Sequence, residues 1–237
     1  MNILLTVILT TLFAGLAMAL GAIIANFEKD GKTFIEEAFR HGVVAVGGGA
    51  LLSAVALVLV PEGIENLAPL SACIFFMLGV ICFMLLDILL KKINTPASQL
   101  AAMLSDFIPE SIALGAAFAI GNSNAYLLAA LIALQNLPEG FSAFRELNST
   151  STYKAKKIIM VFALMAILGP ISGVTGYLWL SEYPEAISAI MLFASGGILY
   201  SIFQDIAPQV KLDKHWAPPM GAVLGFVLGM FGLMVTT

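Results

Sequence analysis

Apolar runs fill most of the chain and are separated by short polar stretches rich in charge, glycine, proline, serine and asparagine. They mark eight segments, at roughly residues 2–25, 41–61, 68–90, 98–121, 124–146, 155–180, 184–208 and 216–236. Each has the ~17–25 residues that a helix needs to cross the hydrocarbon core of a bilayer. No linker or low-complexity stretch separates them, so residues 1–237 are expected to form a single transmembrane domain, an all-α bundle. The longest polar connection, Asn26 to Arg40, carries Phe34, Ile35, Ala38 and Phe39 among charges. It reads either as a short amphipathic helix on the cytoplasmic surface or as an irregular loop.

Composition narrows the class. Hydrophobic residues make up 60% of the chain and charged ones 11%, with a mean hydropathy of +0.98, far from a soluble domain. The lipid bilayer is therefore the first partner to expect. Basic residues are retained on the cytoplasmic side, so their distribution orients the spans. Lys29, Lys32 and Arg40 lie in the first connection, Lys91 and Lys92 in the third, Arg145, Lys154, Lys156 and Lys157 around the fifth, and Lys211 and Lys214 in the seventh. The other connections and both ends have none, which places both termini outside. The chain is slightly acidic, with a pI of about 5.1, and offers no basic surface for nucleic acid. Short loops suit a prokaryotic cytoplasmic membrane.

Several features read as structural. Ala17-Met18-Ala19 resembles a signal-peptidase site, but no basic region precedes it and the apolar run is long, so the first segment is expected to stay as a span. Cys73 and Cys82 read as packed thiols inside the third span, with no disulfide or CxxC metal site. Glycines gather as Gly47-Gly48-Gly49, as Gly196-Gly197, and as Gly221, Gly225 and Gly229 at four-residue spacing. The last series lets another helix approach closely, either within the bundle or at the seam of a homodimer.

Ionisable groups deep in a bilayer cost a few kcal/mol each and call for a partner or a function. The fourth segment contains Asp106-Phe107-Ile108-Pro109-Glu110-Ser111 and the fifth Gln135-Asn136-Leu137-Pro138-Glu139-Gly140, with the prolines 29 residues apart. In each, a polar residue and a glutamate four apart share one helix face. The two spans run oppositely. A rise of ~1.5 Å per residue puts Glu110 at the depth of Gln135, and Asp106 one turn nearer the cytoplasm beside Glu139. Each proline also removes a donor and frees the carbonyl four residues back, that of Ser105 or Leu134. Three carboxylates at one depth repel unless some are protonated or a cation neutralises them. A divalent cation suits the cluster, and carboxylates with a carboxamide and carbonyls favour manganese, ferrous iron, magnesium or calcium at least as well as zinc.

These paired motifs resemble the fourth and fifth helices of the ZIP family (Zrt/Irt-like proteins), where H-N-x-P-E-G is usual in the fourth. Thr11-Leu12-Phe13-Ala14-Gly15 through Gly21-Ala22 is similar to that family's first helix. Val58-Leu59-Val60-Pro61-Glu62 is similar to its second-helix ending, and Phe193-Ala194-Ser195-Gly196-Gly197 through Asp205 and Pro208 to its seventh. The resemblance implies a divalent-metal transporter with a three-plus-two-plus-three inverted repeat. It also implies that Asp106, Glu110, Gln135 and Glu139 hold the primary metal, with Asn136 and the Gln204 or Asp205 position contributing to a second. Departures are visible. Asp106 stands where histidine is usual, Phe107 where a ligating asparagine is usual, and Val58 where histidine is common. The short Lys91 to Gln99 connection leaves no room for a histidine-rich sensing loop.

The function expected is movement of a divalent transition metal of the manganese, iron and zinc class towards the cytoplasm by alternating access, the metal being cargo rather than a cofactor. A non-transporting metal-binding scaffold or sensor is the alternative. An intramembrane hydrolase ranks lower, since there is no HExxH helix, the two histidines, His41 and His215, lie at span ends, and only Asp106 among the aspartates is deeply placed. Those histidines read as interfacial, and Trp179, Tyr183 and Trp216 as interfacial anchors. Glu62 and Glu65 either draw cations to an outer entrance or belong to a solvated loop. Asp87 and Asp205 either line an exit or pair with a nearby lysine.

Overall fold

The computed structural model describes residues 2–27, 34–93, 95–122, 124–180, 182–210 and 216–236, and among these the regular structure is helical without a strand. A lipid interior offers no water to backbone groups, so spanning segments satisfy their own N–H and C=O groups as helices. Eight helices are long and apolar enough to cross a membrane. They are α1 (Ile3–Phe27), α2 (His41–Gly63), α3 (Pro69–Ile93), α4 (Leu100–Ala119), α5 (Ala125–Thr150), α6 (Ala155–Leu180), α7 (Pro184–Gln209) and α8 (Ala217–Thr236). All eight expected segments are present, and the chain reads as an integral membrane protein. Lys29, Lys32, Lys211, Lys214 and His215 lie outside the described residues.

Local chemistry sets several ends. The helix carrying α4 begins at Pro96, where Thr95 and Ser98 satisfy each other's backbone groups in a capping box. At the far end of α5, the hydroxyls of Ser149 and Thr150 donate to the Glu146 carbonyl and that of Ser151 to Leu147, and the helix outlasts its apolar run by a turn. Phe34 to Arg40 is not a separate surface helix. It is continuous with the helix that enters α2.

Two prolines leave a matched imprint. The ring of Pro61 would clash with the carbonyl of Leu57, and that of Pro208 with Gln204. In both places the chain widens into a π-helical turn, Val55–Leu59 in α2 and Ile202–Ile206 in α7. By contrast, α4 and α5 stay α-helical through Pro109 and Pro138.

Four reciprocal glycine crossings hold the bundle together. In α1 and α5, a Cβ at Gly21 would overlap the Leu137 carbonyl oxygen, and one at Gly140 the Met18 carbonyl oxygen. The same arrangement joins α4 to α6 through Gly115 and Gly176, with the oxygens of Gly173 and Ile112. It joins α3 to α7 through Gly79 and Gly196, with those of Phe193 and Phe76. It joins α2 to α8 through Gly49 and Gly225, with those of Ala222 and Val46. In every pair the blocking oxygen belongs to the residue three before the partner glycine. Backbones this close exchange Cα–H···O contacts, which replace the hydrophobic drive that helices lack in lipid. The crossings tie the helices into four pairs; contacts of α1 with α4 and α6 gather α1, α4, α5 and α6 into one four-helix group, and contacts of α2 with α7 gather α2, α3, α7 and α8 into the other.

One pair of alternatives is resolved here and one sequence reading is corrected. Gly221, Gly225 and Gly229 face Gly42, Val46 and Ser53 of α2, so that series is a seam within the chain and not between copies. Cys73 and Cys82 are exposed on α3 instead of packed, because only 11% of that span's most apolar window is buried. Trp179, Tyr183 and Trp216 are exposed near helix ends, as expected of anchors.

Candidate functional site

The helix period and the opposed directions of α4 and α5 bring the two proline motifs together. Gln135 Nε2 donates to Glu110 Oε2 at 2.7 Å, with both side chains buried. One turn away, Asp106 and Glu139 line a cavity of about 770 Å³, and Gln135 reaches its wall as well. Asp106, Glu110 and Glu139 lie within electrostatic reach of one another. Ser201 of α7 donates to Asp106 Oδ1 at 3.5 Å, so the second helix group touches the motif.

The cavity extends away from Glu110. Along α5 it is lined by Gln135, Glu139, Ser142, Glu146 and Thr150, a single stripe at helical spacing. Asp87, Lys91, Tyr200, Asp205 and Gln209 line the end where α3 and α7 finish. There Lys91 Nζ donates to Asp87 Oδ2 at 2.9 Å and lies 3.7 Å from Asp205 Oδ1, while the Tyr200 hydroxyl donates to Asp87 Oδ2 at 3.0 Å. Asp87 and Asp205 each meet Lys91, as one reading of them expected, and each also lines the cavity. Lys91, Tyr200, Ser201 and Glu146 were not singled out by the sequence. The spacing of Glu139, Ser142 and Glu146, and of Asp87 with Lys91, was the signal available for them.

Phe107 points elsewhere, and Asn136 lies behind the cavity wall, where its Oδ1 accepts from Gln135 Nε2 at 3.4 Å. Asn136 is fully buried, and its Nδ2 donates to the Ala14 carbonyl of α1 at 2.9 Å, bracing the α1–α5 crossing. Phe107, also fully buried, fills the space left by Gly15 of α1 and Gly169 of α6, where a Cβ would lie 2.7 Å from the ring tip. Neither residue lines the cavity. At the other ends of the helices, Asn124 Nδ2 donates to Glu62 Oε1 at 3.4 Å, so Glu62 is folded against the α4–α5 turn while Glu65 is exposed.

The two proline motifs put two carboxylates and a carboxamide, oxygen donors of the kind a hard cation takes, at the cavity wall with Glu110 behind them. Among the described residues, no three histidine, cysteine, aspartate or glutamate side chains are drawn close enough together to enclose a metal in this conformation. Glu110 spends one oxygen on Gln135, and a cation that captured both would have to open that bond. No family model matches the chain, and no curated protein matches it in sequence.

Proposed function

We propose that the protein is a ZIP-like secondary transporter, which carries divalent transition metals of the manganese, iron and zinc class towards the cytoplasm through a carboxylate-rich path between α4 and α5. The observation that carries this reading is the buried Glu110–Gln135 bond at the inner end of a cavity walled by Asp106 and Glu139. Side chains so costly to keep in a bilayer, converging from two helices onto an aqueous-sized cavity, are the chemistry of an ion path. Oxygen donors without imidazole or thiolate suit manganese and ferrous iron at least as well as zinc.

The basic residues orient the chain with both ends outside, and the cavity then opens towards the cytoplasm, beside Lys91. An inverted repeat of three plus two plus three helices accounts for two independent patterns. The middle helices of the two triplets, α2 and α7, each carry a π-turn followed by a proline. Exchanging α1 with α6, α2 with α7, α3 with α8 and α4 with α5 also turns the four glycine crossings into one another. Alternating access would be movement of one four-helix group against the other, closing the present opening and forming one on the opposite side. A prokaryotic cytoplasmic membrane is the setting that the short loops suit.

The test is uptake of Mn²⁺, Fe²⁺, Zn²⁺ and Cd²⁺ into proteoliposomes by the intact protein and by the Glu110→Ala, Glu139→Ala double variant. Glutamate-dependent uptake led by Mn²⁺ or Fe²⁺ is expected. Equal silence of both proteins, with the intact one correctly folded, would sink the transport reading.

A further inference from the structure

The carboxylates do not stop at the α4–α5 site. Asp205 of α7 lies within electrostatic reach of both Asp106 and Glu139, and Asp87 of α3 follows at the mouth. The line therefore runs from Glu110 through Asp106 and Glu139 to Asp205 and Asp87. Lys91 closes it, with its ammonium against both aspartates from one turn along α3. Asp205 lies within the π-turn before Pro208, and Asp87 accepts from the Tyr200 hydroxyl. The lysine side chain is 54% exposed, so its flexible stem can leave for the water at the mouth without breaking any packing.

We propose that Lys91 is a built-in competing cation: its ammonium occupies the Asp87–Asp205 pair between passages, and an ion leaving the deep site displaces it and is in turn displaced by it. This rests on the transport reading above. Without such a competitor, two aspartates at the mouth would trap a dication. A tethered ammonium holds its local concentration at the pair whatever the metal level, and so keeps release fast. A single positive charge with three donors also cannot satisfy two carboxylates as a dication can, so it yields to an arriving ion and returns behind it.

Mn²⁺ binding to the purified full-length protein in detergent, read from the free-ion EPR signal, tests this. Lys91→Met is expected to bind one Mn²⁺ per chain more than the intact protein, and the added substitutions Asp87→Asn and Asp205→Asn to remove that ion. Lys91→Arg, which keeps the charge, should match the intact protein. In proteoliposomes, Lys91→Met should reach half-saturation at lower Mn²⁺ but turn over several-fold more slowly, a split that mere destabilisation would not produce. Equal Mn²⁺ stoichiometry and affinity in Lys91→Met and intact protein would overturn the proposal, as would a gain of the extra ion by Lys91→Arg. Failure of the transport reading shows separately, as Mn²⁺ binding by the intact protein that Glu110→Gln with Glu139→Gln leaves unchanged.

Discussion

Gln135 Nε2 and Glu110 Oε2 meet at 2.7 Å from two helices that each carry Pro-Glu four residues beyond a polar side chain. The amide satisfies the buried carboxylate and holds α4 and α5 in register. A buried bond to a charged group contributes ~1.5–3 kcal/mol, and loss of one partner strands the other. Gln135→Leu should therefore lower uptake at least ~10-fold and lower the thermal midpoint in detergent, whereas Gln135→Glu should preserve Mn²⁺ uptake better than Gln135→Leu. Uptake and thermal unfolding measured on the same preparations decide it.

Asn136 presents the opposite case. Its Nδ2 is committed to the Ala14 carbonyl and its Oδ1 accepts a long bond from Gln135, so Asn136→Ala should destabilise the α1–α5 contact by ~1–3 kcal/mol while Mn²⁺ still binds. Loss of bound Mn²⁺ at unchanged stability would instead make Asn136 a ligand.

Phe107 should behave as a wedge. Phe107→Ala removes a fully buried ring from between α1, α4 and α6 and is expected to cost ~3–5 kcal/mol. Phe107→Asn should not add a metal, because the side chain at this position faces Gly15 and Gly169 instead of the cavity. Mn²⁺ stoichiometry beside a thermal melt separates the two effects.

The crossing glycines give a contrast with a turn glycine. Gly140→Ala puts a methyl on the Met18 carbonyl oxygen, a backbone atom that cannot swing away, and overpacking of this kind costs ~1–3 kcal/mol. Gly121, between α4 and α5, has open space around it but a φ of 71°, which asparagine tolerates. Gly121→Asn should melt near the intact protein, and Gly140→Ala well below it.

Cys73 and Cys82 are expected to be dispensable. Both lie on the exposed side of α3, so replacing each with alanine should change stability by no more than ~0.5 kcal/mol. A larger drop in the thermal midpoint would mean that this face is covered.

Much of the α4–α5 site was legible in the chain. Period and proline spacing set Gln135 opposite Glu110 before any coordinates, because a helix fixes which residues share a face and antiparallel spans fix which depths coincide. The Asp87–Lys91 pair was legible in the same way, at a spacing of four. Other contacts between helices were not. Nothing in the sequence says that Lys91 meets Asp205, or that the Asn136 amide donates to the Ala14 carbonyl. The cysteines were misjudged for a reason peculiar to membranes: lipid and protein interior are equally apolar, so hydrophobicity does not report which side of a span is packed. Glycine content pointed to close approach, but the pairing of Gly21 with Gly140, or of Gly79 with Gly196, joins segments more than a hundred residues apart.

That separation bears on how the protein is made. A chain emerging from its amino end delivers α1, α2, α3 and α4 before any of their glycine partners exists, since these lie on α5, α8, α7 and α6 respectively. The first half must therefore wait in the membrane as loosely associated helices, with Asp106 and Glu110 lacking Gln135. Synthesis of α5 completes the first crossing and the carboxylate's amide partner at once, α6 closes that group, and α7 and α8 then close the other. Biogenesis is thus ordered by the later helices, and a ribosome that stalls after α4 leaves a nascent product with no reciprocal crossing formed.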